Sequence, residues 1–294
     1  MLKDRILFDI SLKELNSWRV GGKAKNFYIC SDKRMLSQNL KDKNFKLPIL
    51  FIGLGSNTLF RDGGFKGTII AMHKGLNDIS TDDNSFYAEA GVSCSKLAKY
   101  VAKLGYKNSA FLAGIPGTLG GALSMNAGCY GFETWDFVER VLTIDQSGVE
   151  HIRKRQDFAI SYRHVENKKN NTEFFIAAWL KFDKGNKDDA ELAIKVLLEK
   201  RKEAQPLNWP TAGSTFRNPE GYFAAKLIEE CGLKGFQVGG AQVSEKHANF
   251  IINKGNATAA DIENLILQIQ KEVFKQKKIK LVTEIRIIGE QLDS

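Results

Sequence analysis

The segment GIPGTLGGALSMNAG, residues 114–128, holds five glycines and one proline. Glycine loses more conformational freedom on folding than any other residue, at a cost of about 0.5–1 kcal/mol relative to alanine inside a helix or strand. A chain carries such a segment where its backbone turns tightly or where another group must approach it closely. Two interpretations are therefore open: a bent loop packed against another backbone, or a loop against which a large ligand lies.

The surroundings of this segment favour a ligand. FYAEAG (86–91) predicts a strand, and Ser93–Gly105 predicts a helix with a serine before it and a glycine after it. A ligand crevice commonly follows such a strand–helix unit. Thr118, Ser124 and Asn126 add hydrogen-bonding groups to a loop that is otherwise poor in side chains. A flat or elongated ligand such as a nucleotide pyrophosphate suits this loop best.

A second glycine-bearing segment, GLGSN (53–57), follows the short apolar run ILFIGL (49–54), which predicts a buried strand. Glycines at such a place let backbone N–H groups turn outward and bind phosphate oxygens. A simple strand-to-loop turn explains the pattern equally well. The third glycine and the helix of a Rossmann fingerprint are missing, and the chain has no GxxxxGK[ST] phosphate loop.

The remaining pattern mixes strands and helices without a regular βαβ order, which predicts an α+β fold. In the last segment, KIKLVTEIRIIG (278–289), apolar and polar residues alternate, so we expect one strand with Glu284 and Arg286 on the same side. Thr258 and Asp261 form a predicted capping box. The other predicted elements are strands at 68–72, 138–145 and 174–182, and helices at 190–204, 221–231 and after Thr258.

Composition excludes several classes of protein. The formal net charge of the 294-residue chain is +9, which suits anionic partners, but its lysine clusters fall in predicted helices beside acidic residues, and no nucleic-acid module is present. No apolar run approaches the roughly 20 residues that cross a bilayer, and the N-terminus lacks a signal-peptide core. The four cysteines and four histidines show no metal-ligand spacing. We expect a cytoplasmic protein that binds neither membrane, metal nor nucleic acid.

Two further segments carry candidate chemistry: SYR (161–163) and AGSTFRNP (212–219). Ser214 lacks the GxSxG elbow of an acyl-transfer nucleophile, so it either caps a turn or donates a proton in a suitably charged site. Arg163 and Glu284 are unremarkable by themselves, and spacing alone connects none of the three.

Taken together, these segments resemble the UDP-N-acetylenolpyruvoylglucosamine reductase family, in its shorter type II form. The resemblance runs over nearly the whole chain, and the order and separation of the segments make it specific. The matching segments are SWRVGGKA (17–24), GLGSN (53–57), AGIPGTLGGALSMNAGCYG (113–131), SYR (161–163), QPLNWPTAGSTFRNP (205–219), GGAQVSEKHANFIIN (239–253) and TEIRIIG (283–289).

The resemblance implies an FAD-binding module of the vanillyl-alcohol oxidase (PCMH) type, built from two α+β subdomains at residues 1–75 and 76–187. A C-terminal α+β substrate domain would follow at 188–294, with its last strand returning toward the FAD module. It also implies that FAD and NADPH serve as cofactors. The residues implied to hold FAD are Gly53, Leu54, Gly55, Ser56, Asn57, Gly114, Gly117, Thr118, Gly120 and Gly121.

The family's catalytic residues match Arg163, Ser214 and Glu284. By resemblance, Arg163 stabilises a developing oxyanion, Ser214 donates the proton that quenches it, and Glu284 orients the reacting group. The positions that face the UDP-sugar in the family match Arg217, Asn218 and His247. Two of these also have plain structural interpretations, because Asn218 precedes a proline, as in many turns, and His247 could be an ordinary core histidine.

The expected function is therefore NADPH-dependent reduction of the enolpyruvyl ether of a UDP-sugar, by a monomer, for peptidoglycan synthesis. Two alternatives stay open at this point: a related FAD-dependent oxidase that uses O₂, and a non-catalytic UDP-sugar-binding protein on the same scaffold.

Overall fold

A computed structural model describes residues 4–73, 75–82, 85–169 and 172–292 of the chain. Helices and strands alternate irregularly along the described residues, as the α+β prediction requires. The α-helices are α1 (Lys33–Lys41), α2 (Cys94–Lys103), α3 (Ala110–Ala113), α4 (Leu119–Met125), α5 (Lys187–Ala204), α6 (Ala224–Glu230) and α7 (Ala259–Lys277). The strands are β1 (Ile6–Ser11), β2 (Lys23–Ile29), β3 (Ile49–Ile52), β4 (Thr58–Phe60), β5 (Phe65–Ala71), β6 (Ile79–Asp82), β7 (Ser85–Glu89), β8 (Gly128–Cys129), β9 (Phe132–Glu133), β10 (Val138–Asp145), β11 (Glu150–Lys154), β12 (Phe158–Ser161), β13 (His164–Asn167), β14 (Glu173–Leu180), β15 (Gln237–Val238), β16 (Ala241–Val243), β17 (Ile251–Asn253) and β18 (Arg286–Ile288).

The chain divides into two compact units, each built from separate segments. Unit 1 comprises Met1–Leu7, Asn26–Leu54 and Gly67–Arg201, and unit 2 comprises Phe8–Lys25, Gly55–Lys66 and Lys202–Ser294. The three domains expected at 1–75, 76–187 and 188–294 are instead continuous segments of the chain. That three-part division stays a prediction.

Unit 1 contains a five-stranded sheet in the order β11-β10-β14-β7-β6, in which every neighbouring pair is antiparallel. Helix α2 packs on it through Leu97 and Val101, which are completely buried with Phe86 and Leu180 of the sheet. The predicted serine cap is confirmed, because the Ser93 side chain accepts a hydrogen bond from the Lys96 amide at 3.2 Å. The strand–helix unit before the glycine-rich segment is therefore present.

A four-stranded sheet has the order β1-β2-β5-β3, and β3 runs parallel to β5. The apolar run that was predicted to be a buried strand forms β3, and its last residue, Ile52, is 6 % exposed. Gly53 follows directly, at the carboxyl end of a parallel strand. Ligand sites commonly lie at such ends.

Unit 2 is built around α7 and the three-stranded sheet β15-β16-β17. The predicted capping box is confirmed: the Asp261 amide donates to the Thr258 hydroxyl at 3.0 Å, and the Thr258 amide donates to the Asp261 carboxylate at 2.9 Å. The buried face of α7 is the apolar series that the sequence places at helical spacing: Ile262, Leu265, Ile266, Ile269 and Val273.

The prediction of one strand over residues 278–289 is wrong. Only β18 is a strand, and it runs parallel to β4. Glu284 lies in a bend before it, where its amide donates to the Thr215 carbonyl at 2.8 Å. The chain thus changes its hydrogen-bonding partner between Glu284 and Arg286, and the change ends the alternation on which the prediction rested.

The expectation that residues 114–128 form a loop throughout is also wrong. Residues 119–125 form helix α4, which contains both Gly120 and Gly121. Helix propensity does not favour two glycines in one helix, at about 1 kcal/mol each, so tertiary contacts hold this one. The predicted helix at 221–231 is shorter than expected and spans Ala224–Glu230 as α6.

Asp62 supports the N-terminus of α7 from a remote part of unit 2. Its two carboxylate oxygens accept hydrogen bonds from the amides of Ala259 and Ala260 at 3.1 and 2.9 Å. These amides have no partner within the helix, and a carboxylate at a helix N-terminus also interacts favourably with the helix dipole.

We predict that Asp62→Ala lowers the free energy of unfolding by about 1 kcal/mol, as is typical for the loss of a helix cap. Urea denaturation followed by circular dichroism measures the change. Glu14→Ala, at an exposed carboxylate of the same unit, is the matched control and should leave the midpoint unchanged. Equal midpoints for the two variants would contradict the role of Asp62.

Candidate active site

Gly53 and Thr118 bring the two glycine-bearing segments of the sequence together in unit 1. A Cβ on Gly53 would overlap the Thr118 hydroxyl and lie 3.1 Å from the Thr118 Cγ2, so any other residue would displace the Thr118 side chain. The Thr118 hydroxyl is itself buried and has no hydrogen-bond partner within the described part of the chain. A buried polar group without a partner costs about 1–3 kcal/mol. This hydroxyl is therefore a place where a polar ligand atom would be stabilising.

The glycines of residues 114–128 divide into two kinds. A Cβ on Gly114 would lie 2.7 Å from the Cys129 sulfur, and one on Gly120 would lie 2.9 Å from the Ala90 Cβ, so packing inside unit 1 requires both glycines. A Cβ on Gly121 would meet only the Thr118 hydroxyl, at 3.9 Å. Packing thus explains Gly114 and Gly120, while Gly121 leaves open space beside the unpaired hydroxyl.

The remaining predicted FAD contacts lie beside these positions along the chain. The Gly117 carbonyl accepts a hydrogen bond from the Cys94 amide at 2.9 Å, which holds the segment before α4 against the start of α2. Leu54 is 40 % exposed, and Ser56 is half-buried. Gly55 has φ +63, and a Cβ on it would lie 2.8 Å from the Asn16 Cα, so both its conformation and its packing require glycine.

Arg163 lies at the tip of the β12–β13 hairpin of unit 1. Its backbone φ of +55° falls in the left-handed region, which residues other than glycine rarely adopt. The guanidinium donates to the Gly128 carbonyl at 2.8 Å and to the Asn126 carbonyl at 3.3 Å. The side chain of Arg163 is only 14 % exposed. The structure thus brings the SYR segment against the end of the glycine-rich segment.

In unit 2, three segments that are remote in sequence meet at Ser214 and Glu284. Ser214 forms an isolated bridge with Phe250, and the Glu284 amide donates to the carbonyl of Thr215. The Asn57 side chain donates to the Glu284 carbonyl at 3.0 Å, and its own carbonyl accepts from the Arg286 amide at 3.0 Å. The backbones at Asn57, Ser214 and Glu284 are therefore neighbours.

Asn249 holds the Ser214 segment in place, and the sequence analysis gave it no role. It is 4 % exposed, and its side chain exchanges two hydrogen bonds with the backbone of Phe216, at 2.9 and 2.8 Å. Its carbonyl also accepts from the Thr215 amide at 2.8 Å. Asn249 stands in the quoted segment GGAQVSEKHANFIIN, but only its contacts distinguish it from other asparagines.

The three predicted substrate residues have different surroundings in unit 2. Asn218 accepts a hydrogen bond from the Ala224 amide at 3.0 Å and so caps α6, as its turn interpretation suggests. Arg217 has a buried Nε, and His247 a buried Nδ1, without a hydrogen-bond partner in the described ranges. Burial lowers the pKa of His247 below its usual value, so its ring is neutral at pH 7.

No group of three or more histidine, cysteine, aspartate or glutamate side chains that could hold a metal ion occurs among the described residues. The helices of the same residues include none that is both long and apolar enough to span a bilayer. All four cysteines are free thiols.

Two family models match the chain. A model described as "FAD binding domain" matches residues 30–152, and one described as "UDP-N-acetylenolpyruvoylglucosamine reductase, C-terminal domain" matches residues 205–288. The two matches confirm the predicted order of an FAD-binding module followed by a C-terminal domain. FAD is thus the cofactor that the family assignment supports.

Curated proteins and a solved structure match nearly the whole chain. The UDP-N-acetylenolpyruvoylglucosamine reductase of Nitrosomonas eutropha is 48 % identical over 95 % of this chain and 87 % of its own length. The protein of the same name from Legionella pneumophila strain Corby is 48 % identical over 97 % of this chain and 92 % of its own length. The crystal structure of the Thermus caldophilus reductase covers 97 % of this chain and 99 % of its own, with a TM-score of 0.83 and 28 % identity. With matches at 48 % identity over nearly the whole chain, the chain belongs to the UDP-N-acetylenolpyruvoylglucosamine reductase family.

Proposed function

We propose that the chain reduces UDP-N-acetylenolpyruvoylglucosamine to UDP-N-acetylmuramate with NADPH and FAD, as a step of peptidoglycan synthesis. The observation that carries this proposal is the 48 % identity to reductases of that name over almost the entire chain. Two sites of the structure fit the proposal, one in each unit.

The site in unit 1 fits FAD. The buried hydroxyl of Thr118 can donate a hydrogen bond to a phosphate oxygen. Gly53 and Gly121, which have no side chains, lie beside this hydroxyl. We propose that Gly53, Leu54 and the segment 114–121 hold FAD through their main chains and through Thr118. Bound there, FAD supplies the two-electron transfer from the nicotinamide to the enolpyruvyl double bond.

The reduction needs positive charge and a proton at the substrate. Hydride addition to the vinyl carbon distal to the carboxylate leaves negative charge on the carbon beside the carboxylate, delocalised as an enolate. We propose that the guanidinium of Arg163 stabilises that oxyanion. Loss of one such electrostatic contact typically slows a reaction by about 10²–10³. The carbonyl contacts of Arg163 in unit 1 keep its charge in a fixed place before substrate binds.

The proton is proposed to come from Ser214. Its hydroxyl transfers the proton to the carbon beside the carboxylate, which completes the saturated lactyl ether. Thr215 and Phe216, the two residues that follow Ser214, are buried, and the bonds of Asn249 fix the backbone that carries the hydroxyl. Glu284 is proposed to orient the reacting group from the neighbouring segment.

Arg217 and His247 are proposed to bind the UDP-sugar. Each has a buried nitrogen that a ligand can pair with, and the pKa of His247 is lowered by burial, so its neutral ring can accept or donate a hydrogen bond. Asn218 is the third proposed contact, and its cap on α6 shows that it also has a structural task.

The working form is proposed to be a cytoplasmic monomer. A small-molecule substrate and a nicotinamide cofactor can both be bound by one chain. Light scattering during gel filtration tests the monomer, and a mass near twice that of the chain would contradict it.

We predict that Ser214→Ala separates the two half-reactions. The purified variant should be yellow, and NADPH should bleach it within about twofold of the wild-type rate. Reoxidation by the enolpyruvyl sugar nucleotide should slow by about 10²–10⁴, as is typical when a general acid is lost. Anaerobic stopped-flow absorbance of the flavin measures both steps.

Ser80→Ala, on an exposed face of β6, is the matched control and should leave both rates unchanged. Unchanged reoxidation of the Ser214 variant would show that Ser214 is not the acid. Wild-type protein that O₂ reoxidises quickly and the sugar nucleotide does not would favour the oxidase alternative. Protein that cannot be loaded with FAD would contradict the enzyme itself.

We predict opposite effects of Thr118→Val on the apoprotein and the holoenzyme. Thr118 precedes α4, but its side chain makes no capping bond, so valine only replaces the unpaired hydroxyl by a methyl group of similar size. The apoprotein should gain about 1 kcal/mol of stability, and FAD should bind about tenfold more weakly, because a hydrogen bond to a charged group is lost. Thermal unfolding and FAD titration measure the two effects, with Thr81→Val on β6 as control. Unchanged FAD affinity would contradict the placement of Thr118 against the cofactor.

A further inference from the structure

The position of Arg163 is fixed by residues to which the proposed function gives no role. A left-handed backbone at a residue with a side chain costs free energy, of order 1–3 kcal/mol, and persists only where the surrounding structure imposes it. The residues that impose this conformation on Arg163 lie between α4 and β10.

Asn126 connects three segments around Arg163. It ends α4 with a left-handed backbone of its own, at φ +46, and is 1 % exposed. Its side-chain amide donates to the Ser161 carbonyl at 3.3 Å and to the Glu133 carboxylate at 2.6 Å. Its side-chain oxygen accepts from the Trp135 amide at 3.1 Å. Asn126 thus fastens the hairpin strand that leads to Arg163, while its own carbonyl accepts from the guanidinium.

Glu133 completes this arrangement without forming a close ion pair. One carboxylate oxygen accepts from the Asn126 amide, and the other lies 3.9 Å from the Arg163 Nη1. The same unit contains a structural ion pair for comparison: Arg153 and Glu173 make two hydrogen bonds at 2.6 and 3.1 Å. The longer separation at Glu133 attracts the guanidinium but does not lock it in a bidentate pair.

The second partner of the guanidinium depends on Glu133 as well. Gly128 pairs with Glu133 across the β8–β9 hairpin, and a Cβ on Gly128 would lie 2.9 Å from the Glu133 Cα. The carbonyl of Gly128 is the nearer of the two that hold Arg163, at 2.8 Å. Glu133 therefore touches both of the residues whose carbonyls aim the guanidinium.

We propose that Asn126 and Glu133 are positioning residues of the reductase, which aim the Arg163 guanidinium at the enolate formed in the second half-reaction. This inference rests on the proposed function, because it assigns them an effect on one half-reaction only. A displacement of a catalytic group by about 1 Å can cost on the order of 10²-fold in rate. The pair acts through Arg163 and needs no contact with the substrate.

The test is an exchange of the two polar groups. Asn126→Asp alone places two carboxylates together, and Glu133→Gln alone removes the charge beside the guanidinium. Each single variant should slow reoxidation by the enolpyruvyl sugar nucleotide by about tenfold or more, at saturating substrate. The double variant Asn126→Asp/Glu133→Gln restores a donor and an acceptor between the two positions and the net charge of the site, but not the hydrogen bond that the Asn126 amide donates to the Ser161 carbonyl. It should therefore be reoxidised faster than Asn126→Asp, without reaching the wild-type rate.

Reduction by NADPH, FAD content and thermal midpoint are measured for every variant, with Glu150→Gln on an exposed position of β11 as control. A purely structural role would lower FAD content, midpoint and both half-reactions together, and that result would overturn the proposal. So would normal reoxidation of Glu133→Gln, or a double variant no better than the worse single one. Wild-type protein that NADPH reduces but the substrate cannot reoxidise would instead contradict the proposed function itself.

Discussion

The absence of a single carbon atom at Gly53 is the constraint on which the proposed cofactor site depends. A Cβ there would take the space of the Thr118 side chain, so strand β3 and the glycine-rich segment could not keep their present contact. Their contact leaves a hydroxyl buried without a partner, which a folded protein rarely tolerates. A site that is unfavourable when empty and satisfied when filled couples binding of its ligand to stability, because a ligand that binds only the folded state stabilises it.

The second constraint is the convergence of backbones in unit 2. Asn57, Thr215 and Glu284 are joined by hydrogen bonds of 2.8–3.0 Å although they lie in separate parts of the chain. Bonds of this kind fix the positions from which the side chains of Ser214 and Glu284 extend. Asn249 adds a rigid support, since its amide pairs with both backbone groups of Phe216. Catalysis through a serine hydroxyl benefits from such support, because a weak acid transfers its proton only from a well-defined position.

Local signals predicted the elements that are stabilised locally. The capping box at Thr258, the serine cap at Ser93 and the apolar face of α7 were all evident from short-range spacing, and all are present. The length of the last strand was overestimated. Its alternating pattern continues through Glu284, but the backbone bonds to Thr215 at Glu284 and pairs with β4 only from Arg286 onward. Helix α4 was missed since two glycines argue against a helix, and the contacts with Ala90 that hold it come from tertiary structure. The site residues came from the resemblance, and no spacing rule connects Arg163 with Ser214 or Glu284.

Arg163 shows why such residues escape a prediction from sequence. The guanidinium of Arg163 is positioned by a backbone conformation that arginine disfavours, with φ +55°. It is also positioned by carbonyl partners that lie 35 and 37 positions away along the chain. Asn126 adopts a left-handed backbone as well, a conformation that asparagine tolerates better than most residues. Together these two strained residues hold one guanidinium against main-chain carbonyls. A developing oxyanion requires a positive charge that is held in one place and can still interact with it. That requirement accounts for the backbone strain at Arg163 and Asn126.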